Sequence, residues 1–582
     1  MKNKMTEYLS ITAARRARFA CVSLFLLSAA GMAHAANIDT YWNVADGEWT
    51  SAGNWSNGLP GDLSPDVSRV FFDTAQSGTV SNVTVAASAV AAFNQFRVNQ
   101  GKTVNVSMGA GASLSGVSLT LGSGAASSHL RIEGPSDGTA TASWSSFLQV
   151  GGTATSSGNT LTFSGSGLAA SAANTITIGR QGNSHTMTVE GGASFQGKGL
   201  VVSGTTDVQY GVGNNNRLIV SGTGTNMTLS GFSGAVNTLG LVVGARPLTG
   251  SSGSNVQSGN RVTVSDGARL TVVGDNVDNA TMTVLVGAAT YRTNNSIEVS
   301  GTDSVFEVTG NIRTTVGHTT DTSYNNRLTV SDGGTVKTDA EIVINNGPST
   351  AANRRNILAI GNGGTLVSDN VINNNGGLVT LAEGGVLKGE TLAGAATSLV
   401  LNINGTGRFE AAGNGLGDTV TVNIGDSGGK EAVLAVGLAG RSGAATFSLD
   451  SALNLATGSF LEVSIFSDGS VDSIDLGTNA SVTLSDGVGL RIAFDGEAPS
   501  AGGSYQLFTG NLSSIVGSFD TDLLSAPALA DGLSWDWSRF NAAGGWTVSV
   551  VPEPSVIALL AGAGTGLVAL GIRLRRRGED NA

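Results

Sequence analysis

The sequence predicts an all-β chain wound as a right-handed parallel β-helix, a solenoid with β caps at both ends and one transmembrane helix at the C-terminus. Three observations carry that expectation. Glycine supplies 84 of 582 residues while charged residues make up only 13%. The middle of the chain repeats a strand–turn plan, and an apolar run from Val556 to Ile572 precedes a basic end. A disordered chain of this length would be richer in charge and proline, and a collagen would place glycine in strict thirds with abundant proline. With 9 prolines and a Gly, Ser, Thr, Asn and Val background, short strands joined by tight turns are the remaining solution.

Residues 1–35 read as a secretory signal peptide. Lys2, Lys4, Arg15, Arg16 and Arg18 form a positive leader, and Phe19 to Met32 is apolar. Ala33-His34-Ala35 then supplies the small-x-small cleavage site, leaving Ala36 as the new N-terminus. The single cysteine, Cys21, lies inside this segment. The exported chain therefore contains no disulfide, no cysteine-ligated zinc and no cysteine nucleophile.

Residues 36–100 are expected to form an N-terminal cap and the first coils. Trp42, Trp49 and Trp55 fall close together there, and an open solenoid end has to be covered. A carbohydrate-stacking face is the functional alternative for these rings.

From 101 to 400 the chain is periodic. Asn326-Arg327-Leu328-Thr329-Val330-Ser331-Asp332-Gly333 has relatives at Asn260 to Gly267, Asn216 to Gly222 and Asn295 to Gly301. Weaker copies start at Asn356 and Leu378. The last strand residue before each turn falls at 163, 189, 220, 264, 299, 330, 360 and 381. Leu328 and Val330 alternate with Arg327 and Thr329, the period of a strand, and Ser331-Asp332-Gly333-Gly334 is turn chemistry. A second strand is expected over Thr335 to Lys337 and a third over Glu341 to Ile344. Three short strands per unit describe one coil, and stacking pairs each strand with its copy about 4.8 Å away. About 17 coils would make a rod of roughly 80 Å. The recurring asparagines are read as side-chain ladders at one corner of the stack.

Residues 401–551 continue the strands less regularly. They close on aromatic blocks around Tyr505, Phe519, Trp535 and Trp546, expected to form a C-terminal β cap. Both this block and the tryptophan-rich opening resemble autotransporter-passenger β-helix proteins.

Residues 552–582 combine Pro552-Glu553-Pro554, the apolar run of 556–572 and the basic stop Arg573, Arg575, Arg576 and Arg577. The run is just long enough to span a bilayer, and the arginines would hold its end in the cytoplasm. This tripartite end resembles the PEP-CTERM sorting signal. The resemblance implies an inner-membrane intermediate recognised by an exosortase, a membrane protease that cuts near the Pro-Glu-Pro motif, in exopolysaccharide-producing envelopes.

Between the two end signals, 22 basic residues face 39 acidic ones, a charge near −17. That disfavours nucleic acid and anionic membrane surfaces as partners. Catalytic look-alikes lack their companions. Gly425-Asp426-Ser427-Gly428 has no matching histidine among His129, His185 and His318. Gly134-Pro135-Ser136-Asp137-Gly138 precedes no helix, and Gly192 to Lys198 places Gly199 where a P-loop needs Ser or Thr. No metal or other cofactor is expected: the histidines are scattered, and Asp266, Asp332 and Asp486 offer one carboxylate per turn, too few for calcium. Asp266, Asp332 and Glu383 are likewise dispersed along the solenoid. The expected function is therefore a non-enzymatic structural or adhesive surface protein whose partner is exopolysaccharide or another envelope glycan. A carbohydrate-active β-helix enzyme (lyase- or glycosidase-like) or a glycan-binding module is the rival.

Overall fold

A computed structural model describes residues 38–553, apart from 61, 63–67, 74–77, 154, 205–212, 231–238, 245–256, 275–282, 288–291, 311, 318–322, 346–354, 393–395, 426–430, 440, 497, 500–501 and 542. The described chain is all-β. Its helical content is limited to single 3-10 turns such as Ala52–Asn54 and Thr521–Leu523. Long parallel ladders run the length of the molecule, as a β-solenoid requires.

The first ladder is an open stack of 17 described strands, from Asp46–Glu48 to Leu524–Ser525. Its register joins Phe163, Val189, Val220, Val264, Val299, Val330, Ile360 and Leu381 as successive partners. These are the strand-end positions that the repeat singles out. A second ladder aligns Leu270, Phe306, Val336, Leu366 and Leu387. A third aligns Val243, Val286, Val316 and Ile344. One coil thus buries residues such as Val262, Val264, Leu270 and Val272 completely, each contributing about 1.5–3 kcal/mol by leaving water.

The turn between first and second strands owes its shape to Asp as well as Gly. Asp266 and Gly267 have φ of 58° and 81°, and Asp332 and Gly333 have 53° and 85°. Asp tolerates this left-handed region better than most side chains. Each Asp also accepts a hydrogen bond of 2.9 Å from the preceding serine hydroxyl.

Several N-terminal coils depart from three separate strands. Leu168–Ile178 is one continuous strand serving both second and third ladders, with a register shift between Ala172 and Thr175. Ala172-Ala173-Asn174 contains neither Gly nor Pro, so the chain bends through an irregularity without leaving the sheet.

Inside the corner before the first strand runs an asparagine ladder. Asn216, Asn260, Asn295, Asn326 and Asn356 are fully buried. Each Nδ2 donates to the next Oδ1, at 3.2, 3.0, 3.0 and 2.9 Å. The same Oδ1 atoms accept the backbone N–H of the coil below. His185 holds the equivalent place one coil earlier, its Nδ1 accepting from Asn159 N at 3.2 Å and its backbone N–H donating to Asn216 Oδ1. Glycine ends the third strand because the ladder passes beside it. At Gly287 (φ 59°) an added Cβ would overlap the Asn326 amide.

The two ends are aromatic. Trp42, Trp49 and Trp55 are buried, packed edge to face, and Trp55 Nε1 donates to Trp49 O at 2.8 Å. Their faces are turned into the core, which leaves no exposed stacking platform. At the other end Ser504–Gln506, Thr547–Pro552 and Leu533–Asp536 form an antiparallel sheet. Phe508, Phe519, Phe540 and Trp546 cluster beside it.

Candidate functional site

Of the sorting motif, Pro552 and Glu553 are described. Pro552 closes the strand Thr547–Pro552 opposite Leu533, and the Glu553 N–H donates to Gly532 O at 2.9 Å. Ala33, Ala35, Ala36, Pro554, the apolar run of 556–572 and Arg573, Arg575, Arg576 and Arg577 lie outside the described residues. Among the described residues no helix is long and apolar enough to cross a membrane.

The catalytic look-alikes fall on ordinary β geometry where they are described. Ser136 sits in the turn between His129–Glu133 and Ala140–Trp144, and Gly192 leads directly into the strand Ser194–Val202. Residues 426–428 and His318 lie outside the described residues. His129 Nδ1 bonds Thr160 Oγ1 at 2.6 Å, whereas His185 belongs to the internal ladder. Among the described residues no group of three His, Cys, Asp or Glu side chains is placed to hold a metal.

One polar cleft stands out, and the sequence pattern alone did not reveal it. In regular coils a tight turn joins first and second strands, as at Asp266-Gly267. The strand Val433–Val436 is instead separated from the next one, Thr446–Leu449, by nine positions, of which residue 440 lies outside the described residues. This longer corner opens a cleft of about 750 Å³ across three successive coils. Glu383 comes from the first, Gly413 and Asn414 from the second, and Arg441, Ser442, Thr446 and Ser448 from the third.

The long corner is held from both sides. Ala439 N donates to Glu410 Oε2 at 3.2 Å on the first-ladder side, where Arg408 bridges Glu410 and Glu462. On the other side Asp472 is fully buried and accepts from Ala445 N at 2.9 Å and Ser464 N at 2.7 Å, besides pairing with Arg441. Burial pushes the Asp472 carboxyl above its ordinary range, and these donors with the Arg441 guanidinium oppose that rise. Arg441 also lies over the Phe466 ring at 5.2 Å.

The resulting wall is therefore pre-organised. Its guanidinium charge is already matched by Asp472. Glu383 is exposed and has no ion-pair partner among the described residues. The sequence signal for this site is the separation between the strands ending at Val436 and beginning at Thr446, with an arginine inside a Gly/Ala/Ser stretch.

The chain matches no described protein family, and no curated protein matches its sequence.

Proposed function

We propose that this chain is an exported structural or adhesive surface protein, displayed as a right-handed β-helical rod in an exopolysaccharide-rich bacterial envelope. On this reading the signal peptide is removed after Ala35. The segment 556–572 then holds an inner-membrane intermediate as a helix, and an exosortase cuts near Pro552-Glu553-Pro554. The mature rod passes to the cell surface or extracellular matrix and acts without a cofactor.

The observation that supports the structural reading is the stack itself. Seventeen described first-ladder strands at about 4.8 Å each amount to a body roughly 80 Å long. Its outward columns mix Thr and Asn with Arg and Glu that pair from coil to coil, as Arg261 does with Glu298. Thr329, for example, lies between Glu298 and Ala359, and Asn402 between Asn373 and Asn423. The tripartite end supports the sorting step.

A glycosidase would need two acids facing each other across the substrate. The polar cleft is lined by one acid, Glu383, together with Arg441, and the Asp472 carboxylate that pairs with Arg441 is sealed in the interior and committed to the loop. The test is incubation of the purified chain with exopolysaccharide from its own host. Retention on the polymer without new chain ends is expected; new reducing or unsaturated ends would replace this reading with an enzymatic one.

A further inference from the structure

The polar cleft has a chemistry that selects its occupant. Three hydroxyls, an amide, a guanidinium and a carboxylate line it through Ser442, Thr446, Ser448, Asn414, Arg441 and Glu383. Leu438 is the one large apolar side chain among the lining residues. A peptide partner would normally anchor through apolar or aromatic side chains in dry pockets, and this cleft offers little for them. Planar amide, guanidinium and carboxylate groups beside hydroxyls suit a ligand carrying a donor and an acceptor at nearly every carbon.

Charge narrows the class further. Arg441 is paired with Asp472, so its positive charge is compensated within the wall. Glu383, with no ion-pair partner among the described residues, brings a negative charge to the lining, and the whole chain carries −12. An anionic polymer would meet repulsion at Glu383. The volume of about 750 Å³ lies within the range of small-ligand sites, roughly 300–1,000 Å³. The lining residues also step along the solenoid axis, one coil at a time, which matches a linear ligand lying along the rod.

The main-chain groups of Gly413, in the middle coil of the cleft, are already used. Gly413 donates to Thr446 O and accepts from Ser448 N, each at 2.7 Å. At Gly413 recognition therefore falls to the neighbouring side chains.

We infer that this corner is a binding site for a segment of neutral glycan, held by Glu383, Asn414, Arg441 and the hydroxyls of Ser442, Thr446 and Ser448. The inference supplies a ligand class for the adhesive part of the proposed function. It does not depend on export or sorting, which can fail while the site stands.

The test uses the full chain in detergent and titration calorimetry with maltohexaose, laminarihexaose, cellohexaose and mannohexaose. Hexagalacturonate serves as the anionic comparator and an uncharged hexapeptide as the peptide comparator. At least one neutral hexasaccharide is expected to bind. Glu383→Ala should weaken that binding about tenfold, the loss of one hydrogen bond to a charged group. Thr446→Trp should abolish it by filling the cleft. Both positions are exposed, and an unchanged melting profile for each variant separates lost binding from lost folding. No binding by any neutral hexasaccharide, tighter binding of hexagalacturonate or the peptide, or binding untouched in both folded variants would each overturn the inference. Cleavage of a bound hexasaccharide would contradict the non-enzymatic reading but leave the site assignment in place.

Discussion

Asn295 donates its side-chain amide to Asn326 one coil away, with Nδ2 and Oδ1 3.0 Å apart, while the backbone N–H of Asn295 donates to the same oxygen at 3.2 Å. Both residues are fully buried. Each asparagine therefore satisfies its own donors on one neighbour and offers its oxygen to the other. This is how a solenoid corner remains polar, dry and hydrogen-bonded at once, since an unpaired buried group would cost about 1–3 kcal/mol.

Replacing Asn295 by Ala should be expensive for that reason. It removes the acceptor of both Asn260 donors and the donor to Asn326, so a loss of about 2–4 kcal/mol is expected, two or more unsatisfied groups at that rate. The half-buried ladder of Asn373, Asn402 and Asn423 on the outer surface also has bonds of 2.9 and 2.8 Å. Water can replace those, so Asn402→Ala should cost under about 1 kcal/mol. Local hydrogen exchange around each site measures the difference. Equal losses would refute the distinction between internal and outer ladders.

Gly287→Ala tests the same corner from the other side. The backbone there has φ of 59° and a Cβ would overlap the Asn326 amide. A cost of about 2 kcal/mol or more is expected from backbone strain and displacement of the ladder. Wild-type exchange protection in the Asn326 coil would show that the ladder does not require the glycine.

His185 makes stability depend on acid. Burial lowers its pKa to about 4, against an ordinary value of 6.5. The folded state holds the ring neutral, whereas the unfolded chain takes up a proton first as pH falls. The His185 contribution is therefore complete above about pH 6.5 and is lost progressively as pH falls through about 4, by up to about 3 kcal/mol at 1.36 kcal/mol per unit. His185→Asn keeps the ladder geometry and removes the titration. Its melting temperature should fall less than wild type between pH 6.5 and 4; parallel pH profiles would contradict this account.

Trp55→Ala should uncover the first coil. The ring packs against Trp42, Trp49 and Phe72, and truncating a buried aromatic costs about 3–5 kcal/mol. Exchange protection should fall first in Ile38–Tyr41 and Asp46–Glu48 and persist in distant coils, because repeat stability is transmitted through neighbours. Uniform loss along the chain would argue for one cooperative unit.

The regular coils were legible because three signals coincide in each. Val264, Val299 and Val330 precede turns, an Asn precedes the first strand of each of these coils, and a Gly follows the third, at once after Val286 and Val316 and three positions after Ile344. Each position meets its own copy in the stack, so a local pattern becomes a structural register. His185 was harder to place because a histidine substitutes for the ladder asparagine; its position immediately before the strand Thr186–Glu190 is the only clue. The fused strand Leu168–Ile178 has no signature in the sequence because a bend made of small residues carries no turn signal. The cleft is silent in the sequence for a similar reason. Arg441 and Asp472 are 31 positions apart, and nothing in either local sequence says that successive coils bring them together.

Processing at the C-terminus bears on the central claim most directly. Pro552 is paired with Leu533, and the Glu553 N–H is bonded to Gly532. A protease that takes its substrate in extended form must compete with that sheet for residues up to Glu553. Mass spectrometry of the C-terminal peptide from the native envelope-associated protein is the measurement. The account predicts a mature chain ending at Glu553, Pro554 or Ser555, with no peptide containing Arg573 to Arg577 in the mature pool. Persistence of those arginine-containing peptides in the mature protein would contradict sorting, and a terminus upstream of Pro552 would show that the sheet does not protect the motif.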